Sequence, residues 1–131
     1  VTGLSGLRPT GELLRSDRYF KVGQYSVGHR RLLLRSPRDT PQATRVEVHF
    51  ACVELMLLRP SSQGLVVRST TDGESRTVLH EHGIEPQEGQ YVFALADDLS
   101  MGFVISAPPQ RHEDESGVDD PSWFGHMVGT R

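Results

Sequence analysis

Apolar and polar residues alternate over much of the chain, and where the pattern is clearest its period is two. Val46, Val48, Phe50 and Cys52 alternate with Arg45, Glu47, His49 and Ala51, the signature of a strand with one buried face. The apolar parity then shifts to Val53, Leu55 and Leu57, with Glu54 on the other side. A regular strand cannot change faces without an extra residue, so the sequence predicts a bulge or sharp bend near Cys52 and Val53. A helix over 53–58 is the competing reading, since Glu, Leu and Met favour helices. Pro60 stops either one.

Two pairs of runs predict hairpins. Residues 19–27 and 30–36 flank Gly28-His29, and residues 91–95 and 101–105 flank Asp97-Asp98-Leu99-Ser100. Between the hairpins, residues 65–69 read as a strand, 71–74 as a turn and 76–80 as a further strand. Gly83, Pro86 and Gly89 mark a loop. The total is about seven strands with turn signals roughly every 8 to 15 residues, which predicts an all-β fold. The expected architecture is an antiparallel sandwich or barrel.

The ends of the chain break this pattern. Residues 1–17 hold Gly3, Gly6, Pro9 and Gly11 and predict a short irregular N-terminal arm. The β core is expected over residues 18–107. Residues 108–131 form an acidic tail that opens on Pro108-Pro109 and carries Glu113, Asp114, Glu115, Asp119 and Asp120. Trp123, Phe124, Met127 and Val128 follow within six residues. This apolar cluster either docks back on the core as a strap, the preferred reading, or offers Trp123 and Phe124 to a protein partner.

Composition narrows the class. A chain of 131 residues is one domain in size, and its single cysteine excludes a disulfide framework and a Cys-rich zinc module. No apolar run approaches the roughly 18 residues that span a bilayer, and the first residues lack the apolar core of a signal peptide. The expectation is a cytoplasmic protein with no membrane partner. Charge is uneven: residues 1–60 carry ten basic groups against five acids, and residues 61–131 carry four against twelve, within a net charge of −3. Pairing between the halves inside one fold is preferred over a basic binding surface. Arg31 and Arg35 share a strand face beside Tyr25, yet aromatics do not interleave with them, and the sequence pI is 6.1. Both facts argue against nucleic-acid binding.

Candidate chemistry is sparse. His80-Glu81-His82 would aim two imidazoles at one side of a strand, a spacing used by metal-binding barrels. The surrounding Gly and Glu spacings do not complete such a site, so exposed loop histidines are the preferred reading and no metal is assigned. Cys52 lies in the most apolar strand and is expected to be a buried structural thiol. Neither a nucleophile elbow nor a phosphate loop is present. The acid pairs Asp97-Asp98 and Asp119-Asp120 read as solvated turn caps. No catalytic residue and no cofactor is assigned, and whether the protein is an enzyme stays open.

The run Tyr25-Ser26-Val27-Gly28-His29-Arg30-Arg31-Leu32-Leu33-Leu34-Arg35-Ser36 resembles a group of small uncharacterised bacterial proteins. Their signature is Tyr-Ser/Thr-Val-x-His-x-x-Leu-Leu-Leu-Arg-Ser, followed by a strand matched here by Thr44-Arg45-Val46-Glu47-Val48-His49-Phe50. Gly28 stands where that group has a small polar residue. The resemblance implies no established activity, but it directs attention to Tyr25, His29 and Arg35 as a binding site. The plainer alternative has His29 shaping the turn, Tyr25 packing and Arg35 pairing with an acid from the second half. Two functions remain: a non-enzymatic β-sandwich that binds a protein partner or small ligand, or a metal-dependent or other small β-barrel enzyme using His80 and His82. The short core has little spare burial, so homodimerisation over an open edge or face is also expected.

Overall fold

The computed structural model describes residues 9–39, 42–97, 99–117 and 120–125. Asp98, Asp119, Met127 and Val128 of the sequence reading, and residues 1–8 of the predicted arm, lie outside the described residues. Among the described residues eight strands form one antiparallel sheet. They are β1 (Glu12–Ser26), β2 (Arg31–Ser36), β3 (Arg45–Phe50), β4 (Leu55–Leu57), β5 (Ser61–Ser69), β6 (Tyr91–Ala96), β7 (Met101–Ser106) and β8 (Gln110–Asp114). Among the described residues the helix α1 (Asp72–His82) separates β5 from β6. The strand order is β4-β7-β6-β5-β1-β2-β3-β8.

Both ends of that order belong to chain arms that continue from strands deeper in the sheet. β3 runs on into β4, and β7 runs on into β8. At the two corners the Ala107 N–H donates to the Ala51 carbonyl at 2.9 Å and the Glu54 N–H to the Ile105 carbonyl at 2.8 Å. The sheet therefore coils back on itself in a sandwich-like form, and its inward residues meet in one core. Leu32, Leu34, Val48, Phe50, Val67 and Phe93 are among those almost wholly withdrawn from solvent. Each such side chain contributes about 1.5–3 kcal/mol relative to exposure.

The expected bend falls at Cys52, whose φ is +53°. The left-handed residue consumes one position without advancing the alternation, which is how a bulge changes the buried parity. Val53 then points into the core. The parity beyond it differs from the expectation: Met56 and Leu58 pack on the core, whereas Leu57 is 55% exposed. The segment is a strand, paired Leu55↔Ile105 through Leu57↔Phe103, and not a helix. Cys52 itself is exposed, not the buried thiol expected, because the left-handed turn lifts it out of the strand.

Three boundaries also shift. β1 starts at Glu12, inside the predicted arm, because residues 12–16 find partners along β5. β8 lies inside the predicted tail, where its charged residues pair with β3 from Arg45↔Asp114 to His49↔Gln110. The strand expected over 76–80 is instead part of α1. There Thr71 caps the helix by accepting from the Glu74 N–H, the Glu74 carboxylate returns to the Thr71 N–H, and Gly83 closes the other end at φ +61°.

Glu74 also accepts from both Nη1 and Nη2 of Arg68, at 2.9 and 2.8 Å, tying the helix to β5. These bonds hold its carboxyl down at about 2, through Arg68 first and the Thr71 N–H second. Gly102 marks the closest approach of two arms: a Cβ there would lie 2.0 Å from the Leu57 carbonyl oxygen. Gly102→Ala is expected to lower stability by about 2 kcal/mol or more, since backbone must move. Gly28→Ala, which meets nothing within 4 Å, should change the denaturant midpoint little. Equal midpoints for the two variants would contradict the close-approach account.

Candidate functional site

On the outer side of β2, β3 and β8 the cross-strand rows carry charge. Arg35 stands opposite Glu47, which stands opposite His112; Leu33 and Gln110 flank His49; Arg45 stands opposite Asp114. Residues opposite one another in neighbouring strands share a face, so these side chains project together, away from Val46, Val48 and Phe50. This second face is also covered: Glu47 has no exposed surface, Arg45 is 1% exposed and Arg35 6%.

Buried charges persist only when paired and hydrogen-bonded. Arg35 donates to Glu47 Oε2 from Nε at 3.1 Å and from Nη2 at 2.8 Å. Arg45 donates to Asp114 from Nε and Nη2, at 3.1 and 2.8 Å. Its Nη2 also lies 3.7 Å from Glu47 Oε1. Two arginines and two carboxylates thus neutralise one another. Burial opposes ionisation of Asp114, but Arg45 and the Ser116 N–H outweigh it and hold the carboxyl below its ordinary range. Among the described residues no buried side-chain nitrogen or oxygen lacks a partner.

The cover is residues 120–125, where the Asp120 N–H donates to the Gly117 carbonyl at 3.1 Å. Arg45 Nη1 donates to the Asp120 and Pro121 carbonyls at 3.0 and 3.2 Å. Glu47 Oε1 accepts from Ser122 Oγ and from the Trp123 N–H, both at 3.0 Å. Arg31 Nη2 donates to the Phe124 carbonyl at 2.6 Å. The Phe124 ring stacks on His49 at 4.9 Å between centroids, and the Trp123 indole on His112 at 4.1 Å. The backbone is fixed from below, yet Trp123 remains 62% exposed.

His49 accepts at Nε2 from Arg31 Nε at 2.9 Å, and its Nδ1 is 3.3 Å from Gln110 Oε1. A ring that accepts at one nitrogen is neutral. Burial first, and the Arg31 charge second, push its pKa below the ordinary histidine value.

The residues singled out from sequence do not converge. Tyr25 lies opposite Leu32 and packs on the core, His29 is exposed in the β1–β2 turn, and Arg35 projects from the other face of the sheet. Among the described residues Arg35 pairs with Glu47 of the adjacent strand, because the β2–β3 register sets the two directly opposite. Pairing between the halves runs through Arg45 with Asp114 and Arg18 with Glu113. His80 and His82 sit at i and i+2 of α1, where side chains point to different sides. His82 lies against Phe103, and His80 is exposed. The pair therefore cannot converge on one metal ion. Among the described residues no group of three His, Cys, Asp or Glu could hold one.

Glu47, Arg45, His49, His112 and Ser122 were the residues sequence reasoning missed. The usable signal was a tail with Ser122-Trp123-Phe124 that needed a docking face, and a strand whose polar side could supply one. Away from this face, a cleft at one end of the coil reaches Phe20, Leu34 and Leu95 beneath Arg59. Its volume is about 40 Å³, against roughly 300–1,000 Å³ for an ordinary small-molecule site.

Glu47→Gln is expected to cost about 3–5 kcal/mol in denaturant unfolding, because it leaves buried guanidinium groups uncompensated; a loss below 1 kcal/mol would contradict the network account. The depressed pKa of His49 means that the unfolded chain takes up that proton first. Its contribution is present above the ordinary histidine value and is lost as pH falls through the folded one. Stability should therefore fall as pH drops through the ordinary histidine value of about 6.5 and below it, and His49→Gln should flatten that slope. An unchanged slope would assign it elsewhere.

The chain matches no family model, no curated protein and no solved structure.

Proposed function

We propose that this chain is a non-enzymatic binding module that engages a protein partner through Trp123 and Phe124. The observation that carries this reading is a tryptophan whose backbone is anchored on a buried carboxylate while its indole stays 62% exposed. Exposed indoles are costly in solution and are the commonest anchors of interfaces. Holding the ring in place beforehand removes part of the entropy cost of binding. The flanking Phe124 and His112 rings extend the platform, Phe124 at 5.3 Å edge-on and His112 stacked beneath. The binding-module reading is also supported by what surrounds the polar groups. Arg35, Arg45, Glu47 and Asp114 are engaged with one another, a state that suits a scaffold better than a general acid or base.

Small-ligand binding is the weaker reading: the end cleft holds about 40 Å³, and the larger surface hollows, of about 280–400 Å³, are lined mostly by polar side chains, whereas small-molecule sites are mostly apolar. A comparison of three immobilised proteins tests the proposal. A partner held by the wild-type chain should be lost with Trp123→Ala and kept with Tyr19→Ala, an exposed aromatic on β1. Identical sets of retained proteins for all three would refute the reading.

A further inference from the structure

We infer that the partner is a second copy of this chain, docked two-fold along β8. The inference rests on the reading of Trp123 as a partner contact and names that partner. β8 closes one end of the strand order, and among the described residues it pairs with β3 on one side and with no strand on the other. Its sequence is Gln110-Arg111-His112-Glu113-Asp114. Charged residues on a free edge ordinarily keep sheets apart. Here their order is self-complementary. Two copies of β8 laid antiparallel about a two-fold axis at His112 place each Arg111 opposite Glu113 of the second copy.

Within one chain Arg111 and Glu113 already form a 2.8 Å ion pair at the surface, with side chains 48% and 38% exposed. Pairing two copies would surround each charge with two opposite ones, the favourable cross-strand arrangement. A parallel register, or a two-fold register shifted by two residues, sets Arg111 or Glu113 against its own copy, so among two-fold arrangements the pattern selects one geometry.

A five-residue strand edge is too small for a stable interface, which buries about 1,200–2,000 Å². Trp123 supplies the missing apolar part. Its indole stacks on His112, the residue on the proposed axis, so two-fold docking brings the two indoles to the centre of one interface. Arg111 and Glu113 then line one side of the joined edge, on the face of Val46 and Val48, and the two indoles cover the other. The contact is isologous, the usual form for a homodimer.

Sedimentation velocity on charge-reversed full chains tests this. Wild type should dimerise with rising concentration, and Trp123→Ala should weaken the dimer about tenfold. Arg111→Glu and Glu113→Arg should each be monomeric, because each sets like charges face to face. An equimolar mixture of the two should form a heterodimer. Glu113 also accepts from Thr44 Oγ1, so Glu113→Arg could unfold. Amide exchange of the wild-type chain is therefore a second readout, and protection of β8 should rise with concentration. Wild type that stays monomeric to about 1 mM with concentration-independent β8 exchange would overturn the inference. So would single variants that dimerise like wild type. If a different protein is still captured through Trp123 while self-association is absent, this inference falls and the binding-module reading stands.

Discussion

Glu47 lies without exposed surface between the guanidinium groups of Arg35 and Arg45, and both of its oxygens are in use. One oxygen fixes β2 to β3 through Arg35. The other holds Ser122 and Trp123, while Arg45 carries the network on to Asp114 in β8. An ion pair of this kind is weak grounds for stability by itself, since desolvation offsets most of the attraction. Its consequence is positional. Once these charges are buried, only one register of β2, β3 and β8 and one path for residues 120–125 leaves every group satisfied.

That constraint also explains the uneven charge along the chain. Basic groups of the first half meet acids of the second at Arg45–Asp114 and Arg18–Glu113. Arginines of the first half also read main chain, with Arg31 and Arg45 donating to carbonyls of residues 120, 121 and 124. Strap and anchor are therefore not alternatives for the C-terminal segment. Its backbone is a strap, held at carbonyls and N–H groups, and its indole is free to act as an anchor. The separation is possible because Glu47 takes hold of the Trp123 N–H and leaves the ring to stack on His112.

Much of the fold was legible where one face of a strand is apolar. The β1–β2 and β6–β7 hairpins follow directly from alternating runs around turn residues, and the shift in parity after Phe50 pointed to the bend that Cys52 makes. The helix was hidden because it buries no residue fully, so no apolar stripe of helical period exists; its local signals, Thr71 with Glu74 and Gly83, were caps alone. β8 was hidden for a related reason. A strand of Gln, Arg, His, Glu and Asp has no alternation of hydrophobicity and looks like solvated tail. The candidate site was illegible because β3 is buried on both faces, and a polar face is read from sequence as an exposed one. Only the return of residues 120–125 buries it, and that contact spans 75 residues or more of chain.

The central claim is that the buried carboxylate of Glu47 holds the Trp123 backbone in place. Native-state hydrogen exchange at the Trp123 amide measures this bond directly. The amide should exchange orders of magnitude more slowly than in an unstructured peptide, and its protection should collapse in Glu47→Gln. Free exchange at Trp123 while Val48 and Phe50 in β3 stay protected would contradict the account.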